Sequence, residues 1–187
     1  KYTLVGRLYD KTTETYIKNE DGTDYTVERE LRPGYVDSED EVWSEKEGDF
    51  TKGSCVQTFK FDASKYEGHT IVVYEVLYDN KDKMPIVAAR HCDKNDTKQT
   101  IHYPKIRTEN LSDTMKDHDN PTKGEVTLTD TITYTNLLPN KRYTVTGILM
   151  DKDAGDEAMD KDKNYIQAKT TFTPEEADGE LKLTYKF

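Results

Sequence analysis

The sequence predicts an all-β protein made of β-sandwich units. Short stretches of apolar and aromatic residues alternate with polar residues at a period of two, which is typical of strands with one buried face. Clusters of Gly, Pro, Asp and Asn separate these stretches at short intervals, and no segment sustains the 3.6-residue period of an amphipathic helix. Regularly spaced short strands of this kind are characteristic of sandwiches.

The predicted strands follow one another along the whole chain. They cover residues 1–11, 25–30, 53–61, 69–78, 85–91, 100–103, 106–108, 124–134, 143–150, 165–172 and 180–187. Three polar stretches between them are predicted as loops: the acidic segment 35–50 with the single tryptophan, Trp43, then 109–123 and 151–163. We interpret segment 35–50 as an inserted loop or hairpin.

Composition excludes several classes of function. The net charge is −10, from 37 acidic and 27 basic residues, and no long basic stripe exists, so a nucleic acid or an anionic membrane surface is not an expected partner. No apolar run approaches the roughly 18 residues of a membrane-spanning helix. No signal peptide is visible, so we expect a mature or excised fragment.

The cysteine count leaves a question about stability. Only Cys55 and Cys92 are present, fewer than a disulfide-stapled secreted domain of this size usually carries, and we expect free thiols. The hydrophobic fraction is 33%, which predicts a thin core. If the protein is extracellular, something other than disulfides must hold that core together.

The chain repeats part of itself. Residues 2–11 (YTLVGRLYDK) match 143–152 (YTVTGILMDK), and residues 53–61 (GSCVQTFKF) match 179–187 (GELKLTYKF). The repeat unit is therefore about 126–141 residues long, and the acidic segment near Trp43 accounts for the difference. Tandem sandwiches form a shaft, which favours an extended surface protein over a globular enzyme.

The repeat length predicts a chain cut out of phase with its own repeat. We expect residues 1–104 to be the closing part of one repeat, with an acidic insertion at about 35–50, and residues 105–187 to be the opening part of the next. On this interpretation the first copy lacks its opening strands, and the second copy lacks its closing strands.

Two acidic residues occupy positions in predicted strands where the alternation predicts apolar residues. Asp130 shares the period-2 phase of Val126, Leu128 and Ile132, and Glu75 lies within an apolar run. Burying a carboxylate is costly unless it is paired or protonated, and desolvation favours the neutral acid. From pattern alone, a reactive acid and a carboxylate bonded to backbone N–H groups at a strand end remain equal alternatives.

A dense polar cluster follows the apolar run 86–89. Residues 91–101 (HCDKNDTKQTI) place a histidine, two carboxylates, a thiol and a carboxamide within nine positions at the edge of a predicted strand. Such a cluster is either a solvated loop or a reaction site. We interpret it as a reaction site.

These motifs together resemble a known family. The closing-half match comprises Gly53, 58–65 (TFKFDASK), Gly68, 72–78 (VVYEVLY) and His91, Asp93, Asp96, 99–101. The opening-half match comprises 106–108 (IRT), 126–137 (VTLTDTITYTNL), 143–152 and 171–174 (TFTP). The sequence is similar to the Thr–Gln ester-bond (VaFE-type) repeat domains in the surface adhesin stalks of Gram-positive bacteria.

The resemblance implies an immunoglobulin-like β-sandwich in each repeat and a covalent bond within it. In that family a threonine on the first strand condenses with a glutamine on the last strand and releases ammonia. The implied cross-link residues are Thr108 as nucleophile of the second repeat and Gln99 as electrophile of the first. The implied catalytic residues are Glu75, His91, Asp96 and Asp130, and which of them is base or acid stays open.

The resemblance also implies a function. The chain is expected to be a structural stalk module of a secreted, cell-wall-anchored adhesin, with neighbouring repeats as partners and no cofactor or metal. The condensation is a single-turnover, autocatalytic reaction, so no enzyme activity is expected. A bond closing a loop of about 130 residues stabilises by roughly 4–5 kcal/mol, by analogy with disulfide loop entropy.

The order of the two cross-link residues departs from the family pattern. Gln99 precedes Thr108, so the two belong to different repeats, and no ordinary ester within one repeat is expected in this chain. Two arrangements would change that: an engineered, permuted or split arrangement that joins Thr108 to Gln99, or a complementary chain that supplies the missing strands. The short separation of the two residues argues against the intramolecular version.

Three other functions are alternatives to this one. A cysteine hydrolase would need Cys92 and His91 to pair, but neighbours on a strand point to opposite faces. Calcium binding by 93–96 or 151–156 lacks the residue spacing of an EF-hand loop, so both segments are interpreted as solvated turns. A ligand-binding adhesin domain could use the Trp43 insertion as its contact surface.

Overall fold

The fold is all-β and divides into two compact units. The computed structural model describes residues 1–32, 34, 36–37, 42–48, 50–81, 84–113, 116, 118 and 124–187. Unit 1 is Lys1–Tyr103 and unit 2 is Pro104–Phe187. Within the described residues, the one helical element is a 3₁₀ turn at Ala63–Tyr66, and no helix is long and apolar enough to cross a membrane. The all-β prediction is confirmed.

The described residues of unit 1 form nine strands in two antiparallel sheets. They are β1 (Tyr2–Asp10), β2 (Thr15–Tyr16), β3 (Thr26–Leu31), β4 (Val36–Asp37), β5 (Val42–Glu47), β6 (Phe50–Cys55), β7 (Thr70–Asp79), β8 (Ile86–His91) and β9 (Thr100–His102). The main sheet has the order β2-β1-β7-β8, with β3 also paired to β1 and β9 to β7. The small sheet has the order β4-β5-β6.

The core of unit 1 lies on one face of the main sheet. Leu8, Ile17 and Ile71 are almost completely buried there. Phe59 and Phe61 pack against them from the segment that follows β6, together with several tyrosines. The alternation that predicted these strands therefore does mark the face that is buried.

Seven strands lie in the part of unit 2 that the structure describes. They are β10 (Lys105–Ser112), β11 (Thr127–Thr135), β12 (Tyr143–Ile148), β13 (Met150–Asp151), β14 (Asp156–Glu157), β15 (Gln167–Phe172) and β16 (Gly179–Lys186). The sheet β10-β11-β16 packs its inner face on the pair β12-β15. Ile132, Leu183 and Tyr185 form the centre of that core, with Val145 and Ala168 against them.

The predicted internal match appears in the packing of the two units. A Cβ added to Gly6 on β1 would lie 2.6 Å from Phe59 and 2.7 Å from Gln57 Oε1. A Cβ added to Gly147, at the matching position of β12, would lie within 2.7 Å of Leu183 and closer still to Tyr185. In both units the glycine lets one segment cross closely over the facing strand.

Several predicted boundaries were wrong. The predicted strand 53–61 keeps strand pairing only to Cys55, the end of β6. The loop predicted at 109–123 begins as strand, because β10 continues to Ser112. Its positions 114–115, 117 and 119–123 lie outside the described residues. The loop predicted at 151–163 includes the short pair β13-β14.

The acidic insertion is more ordered than a single loop or hairpin. Its described part contributes to the three-stranded sheet β4-β5-β6, with Val42 and Ser44 buried. Ser44 Oγ donates a hydrogen bond of 2.6 Å to the backbone oxygen of Arg32 and fixes the sheet to the end of β3. Positions 35, 38–41 and 49 of the predicted insertion lie outside the described residues.

Candidate functional site

In unit 1 the structure holds the side chain of Gln99 against Glu75. Glu75 lies on β7 in the phase of Ile71 and Val73, which is the core-facing phase, and is half-buried. Gln99 Nε2 donates a hydrogen bond of 3.1 Å to Glu75 Oε2, while the other amide atom, Oε1, is buried without a hydrogen-bond partner. The glutamine is therefore oriented through its nitrogen, and its carbonyl group has no donor.

His91 and Asp96 form the second part of this half-site. His91 ends β8 and lies directly opposite Glu75 in the β7-β8 ladder. Its Nε2 lies 3.0 Å from Asp96 Oδ2, with about half of the histidine side chain exposed. Four of the predicted site residues, Glu75, His91, Asp96 and Gln99, thus lie together at one sheet edge.

The turn between β8 and β9 explains why these side chains stay in place. Asp93 Oδ1 accepts from the backbone N–H of Asn95, and Asp96 Oδ1 accepts from that of Lys98. The backbone N–H of Gln99 donates to the Asp96 carbonyl, and Val73 N–H donates to the Gln99 carbonyl. The turn is fixed by hydrogen bonds within the segment and is attached to β7 by its last residue.

Unit 2 contains the other half of the predicted residues. Asp130 lies on β11 between Asn110 on β10 and Leu183 on β16. It is only 8% exposed, its Oδ1 has no hydrogen-bond partner, and burial raises the pKa of its carboxyl group above the usual range. The prediction of an acid facing inward among apolar residues agrees with this placement.

Thr108 lies on the same face as Asp130. It pairs with Ile132 on β11, one inward position from the Asn110–Asp130 pair. Residues on such diagonal positions have Cβ atoms roughly 7–8 Å apart or somewhat less. Thr108 is exposed, whereas Ile132, its partner in the ladder, is only 2% exposed. The difference arises because the inner face of β10 is uncovered within unit 2.

Gln57 is a polar residue that sequence reasoning missed. Its Nε2 donates to the backbone oxygens of Leu4 and Val27, at 3.3 and 2.8 Å, and its Oε1 is buried without a partner. The signal was present, because Gln57 occupies the inward phase of Phe59 and matches Leu183 in the internal repeat. A carboxamide at a position where the other copy has leucine indicates a specific polar contact.

A second cluster, at the other end of β1, was also missed. Asp10 is 3% exposed and accepts from His69 Nδ1 at 2.7 Å and from Thr13 Oγ1 at 2.8 Å. Burial alone would raise the pKa of Asp10, but the hydrogen bonds from His69, Thr13 and Thr12 outweigh burial and lower it. This cluster joins the end of β1 to the start of β7. Asp10 and His69 are 59 residues apart, and no local sequence pattern links two positions at that separation.

The alternative functions gain no support from the geometry. Cys92 Sγ lies 3.8 Å from the backbone oxygen of Glu75, and His91 bonds Asp96 instead. Cys55 and Cys92 are free thiols, and burial, followed by the charge of Glu75, raises the pKa of Cys55. In the described part of the chain no group of three His, Cys, Asp or Glu residues could hold a metal ion.

In the two turns that are alternative calcium sites, an aspartate side chain accepts hydrogen bonds from the backbone of its own turn. Asp151 Oδ1 accepts from the N–H groups of Asp153 and Ala154, and the 93–96 turn is closed in the same way by Asp93. Trp43 lies on β5 and is half-buried, opposite Val36 and Ser54. Its side chain is therefore partly buried by the small sheet to which it belongs.

Comparison with known proteins gives one family. A family model described as "T-Q ester bond containing domain" matches residues 1–103 and again residues 104–187. No curated protein matches the chain, and no solved structure matches it.

Proposed function

Because the chain belongs to the T-Q ester bond containing domain family in both of its units, we propose that it is a stalk segment of a bacterial surface adhesin. Its repeats are stabilised by autocatalytic Thr–Gln ester bonds, and it turns over no external substrate. It belongs outside the cell, anchored to a Gram-positive cell wall, with neighbouring repeats as its partners. The placement of Gln99 against Glu75 is the observation that carries this proposal.

The two half-sites are complementary in chemistry. Unit 1 supplies an oriented carboxamide whose oxygen lacks a donor, and unit 2 supplies a hydroxyl beside a buried acid. A whole repeat contains both halves, with its facing sheets roughly 10 Å apart so that inward side chains interdigitate. The opening strands of a repeat would then bring residues of the Thr108 and Asp130 type over residues of the Gln99 and Glu75 type.

The reaction is an acyl transfer that occurs once. In a whole repeat, Oγ of the threonine in the place of Thr108 attacks the side-chain carbonyl carbon of the glutamine in the place of Gln99. The aspartate in the place of Asp130 takes the hydroxyl proton, as a general base for a weak nucleophile. A raised pKa makes the ionised form of Asp130 a stronger base. Glu75 holds the leaving nitrogen, which accepts that proton and departs as ammonia, leaving a Thr–Gln ester.

The bond would have a mechanical as well as a thermodynamic effect. It joins the first and last strands of a sandwich, so a pulling force cannot separate them without breaking a covalent bond. A loop of about 130 residues closed in this way contributes roughly 4–5 kcal/mol through the entropy of the unfolded chain. Such a bond would explain how a thin core with two free thiols persists outside the cell.

A chain that joins residues 104–187 directly to 62–103 tests this proposal. Residue 187 matches residue 61, so the fusion builds one whole repeat from segments of this protein. We expect its intact mass, after folding, to be lower than the calculated mass by one ammonia. Thr108→Ala should keep the full mass, whereas Thr133→Ala, which changes an exposed threonine on the neighbouring strand, should still lose ammonia.

The fusion protein can also contradict the proposal, provided that it is folded. Circular dichroism first establishes that the fusion protein and both variants have the same β content. A folded fusion protein that retains its full mass at neutral pH would show that these residues do not condense.

A further inference from the structure

We propose that Gln57 is a positioning residue of the half-site in unit 1: its carboxamide oxygen accepts the O–H of Glu75 in its protonated form, so that the carboxyl oxygen facing Gln99 remains an acceptor. The inference rests on the Thr–Gln condensation proposed above and adds one residue to it. Gln57 acts through Glu75, which in turn holds the side-chain nitrogen of Gln99.

Gln57 lies over the row of the main sheet that contains Glu75. In that row Gly6 is directly opposite Val27 on one side and Glu75 on the other, and Glu75 is directly opposite His91. Directly opposite residues share a face of the sheet. A Cβ added to Gly6 would lie 2.7 Å from Gln57 Oε1, so this oxygen occupies the space that a side chain at residue 6 would fill.

The two carboxamides lie on opposite sides of Glu75. Strand β1, with the Gln57 oxygen over Gly6, pairs with one edge of β7, and strands β8 and β9 pair with the other edge. Gln99 directly precedes β9, and its Nε2 donates to Glu75 Oε2 at 3.1 Å. Directly opposed residues have Cβ atoms about 4.5–5.5 Å apart, a distance that a glutamate side chain can span. Gln57 is therefore on the side of the second carboxyl oxygen, Oε1.

A second observation places this segment near the Glu75 carboxyl group. Cys55, the last residue of β6, lies two positions before Gln57 and shares its phase. Burial raises the pKa of the Cys55 thiol, the negative charge of Glu75 raises it further, and Arg29 opposes the shift. His91 faces Glu75 from β8. The titratable neighbours of Glu75 thus include a thiol and an imidazole, and Gln57 adds an uncharged acceptor.

The hydrogen-bond capacity of Gln57 determines what it can offer to Glu75. Its Nε2 donates to the backbone oxygens of Leu4 and Val27, which uses both hydrogens and fixes the orientation of the amide group. Its Oε1 can only accept, and it is buried without a partner among the residues that the structure describes. The O–H group of a protonated carboxyl is a donor that this oxygen can accept.

This acceptor selects which oxygen of Glu75 carries the proton. A proton on Oε2 would point at the N–H of Gln99, donor against donor, whereas a proton on Oε1 points toward Gln57 and leaves Oε2 as an acceptor. The second arrangement gives Gln57 Oε1 a partner and keeps the hydrogen bond to Gln99. The carboxamide of Gln99 is then held in one orientation before the bond forms, which is a source of rate.

Unit 2 shows which substitution removes the contact and keeps the packing. Leu183, the residue that matches Gln57, lies over Gly147 as Gln57 lies over Gly6. Gln57→Leu therefore places a side chain that already fits over a glycine at this position. Gln57→Met keeps the length of the side chain without the amide group and serves as a second variant.

A double-mutant cycle on the whole chain tests the contact. Glu75→Gln keeps the shape of the protonated acid and gives it a permanent N–H donor. With Gln57 present this donor has an acceptor, so we expect the slowest-exchanging backbone amides of β7 to keep their protection or gain some. In the Gln57→Leu background the donor is buried without an acceptor, so Glu75→Gln should speed amide exchange about tenfold.

The control background is Val56→Ala, which changes an exposed neighbour. There Glu75→Gln should have the same effect as in the wild type, and the Gln57→Met background should behave like Gln57→Leu. If Gln57 only attaches its segment to β1 and β3, Glu75→Gln changes protection by one common factor in every background. That result would overturn the proposal.

The side-chain NH₂ group of Gln99 gives a readout that overall stability does not move. In the Glu75→Gln chain, we expect its hydrogens to exchange with water on the order of tenfold faster when Gln57→Leu is added, relative to the backbone amides of β7. The reason is that the residue at position 75 then loses one of the two partners that orient it. An unchanged ratio in a folded double variant would also overturn the proposal.

The contact and the condensation can fail separately. The cycle needs no ester, and the 104–187/62–103 fusion protein carries Leu183 in the place of Gln57, so its loss of ammonia does not depend on Gln57. A folded fusion protein at full mass would contradict the condensation and leave the contact. Equal effects throughout the cycle would remove Gln57 from the site and leave the condensation.

Discussion

Residues 53–61 and 179–187 match in sequence yet adopt different structures. In unit 2 the segment forms β16 and is paired along its length with β11, whereas in unit 1 strand pairing stops at Cys55. Both segments send alternate side chains into a core across a glycine of the facing strand. The comparison teaches that alternation determines which face is buried, while a neighbouring strand determines whether the backbone is hydrogen-bonded.

Amide hydrogen exchange should show this difference most strongly. We expect the β16 amides that bond to β11 to exchange on the order of a thousandfold more slowly than those of residues 56–61, because ladder amides open only with a large part of the unit. Lys60 is the internal exception, since its N–H donates to the Tyr25 hydroxyl at 2.8 Å. Equal protection of the two segments would mean that the first is paired in solution.

Truncation of the matching inward residues should separate the units by stability. Leu183 is 2% exposed at the centre of its core, so Leu183→Ala should cost about 2–5 kcal/mol in the free energy of unfolding. Gln57→Ala removes two hydrogen bonds to backbone oxygens and should cost about 1–2 kcal/mol. Urea titration monitored by hydrogen exchange in each unit measures both losses of unfolding free energy. A larger loss for Gln57→Ala than for Leu183→Ala would contradict this comparison of the two units.

Asp10 and Asp151 match in the internal repeat, and their substitution by asparagine should reduce stability by different amounts. This difference should be smaller than that between Leu183→Ala and Gln57→Ala, and it should depend on pH. Asp10 is buried and bonded to His69, so Asp10→Asn should cost about 1–3 kcal/mol. Asp151 is exposed and closes a turn that asparagine also accepts, so Asp151→Asn should cost less than about 0.5 kcal/mol.

The sign of the pH effect follows from the lowered pKa of Asp10. The folded pKa lies below the unfolded value of 3.8, so the stabilisation is present above that value and is lost as the pH falls through the folded pKa. Unfolding of unit 1, measured from neutral pH into the acid range, should show this loss in the wild type and not in Asp10→Asn. A matching loss in the variant would assign the acid sensitivity to another group.

Much of the fold and half of the site geometry could be predicted from the sequence. Strand periodicity, turn residues and the internal repeat are local signals, and the inward phase of Asp130 and Glu75 follows from the same alternation. The clustering of His91, Asp96 and Gln99 was predictable because all three lie within nine residues at a strand end.

The rest depends on contacts between distant residues. The Asp10–His69 hydrogen bond and the end of strand pairing at Cys55 are set by which segments become neighbours, and neither leaves a local pattern. Gln57 could have been found by comparing the repeats, because a polar residue replaces Leu183 at a position that faces inward. The length of β10 was missed because the part beyond Thr108 is polar except for Leu111.

Digestion and tandem mass spectrometry of the 104–187/62–103 fusion protein test the central claim most directly. The account predicts one cross-linked peptide, lighter by one ammonia than its two parts, with the bond located between Thr108 Oγ and the side-chain carbonyl of Gln99. Recovery of the Thr108 and Gln99 peptides unlinked and at full mass, from protein shown to be folded, would contradict it.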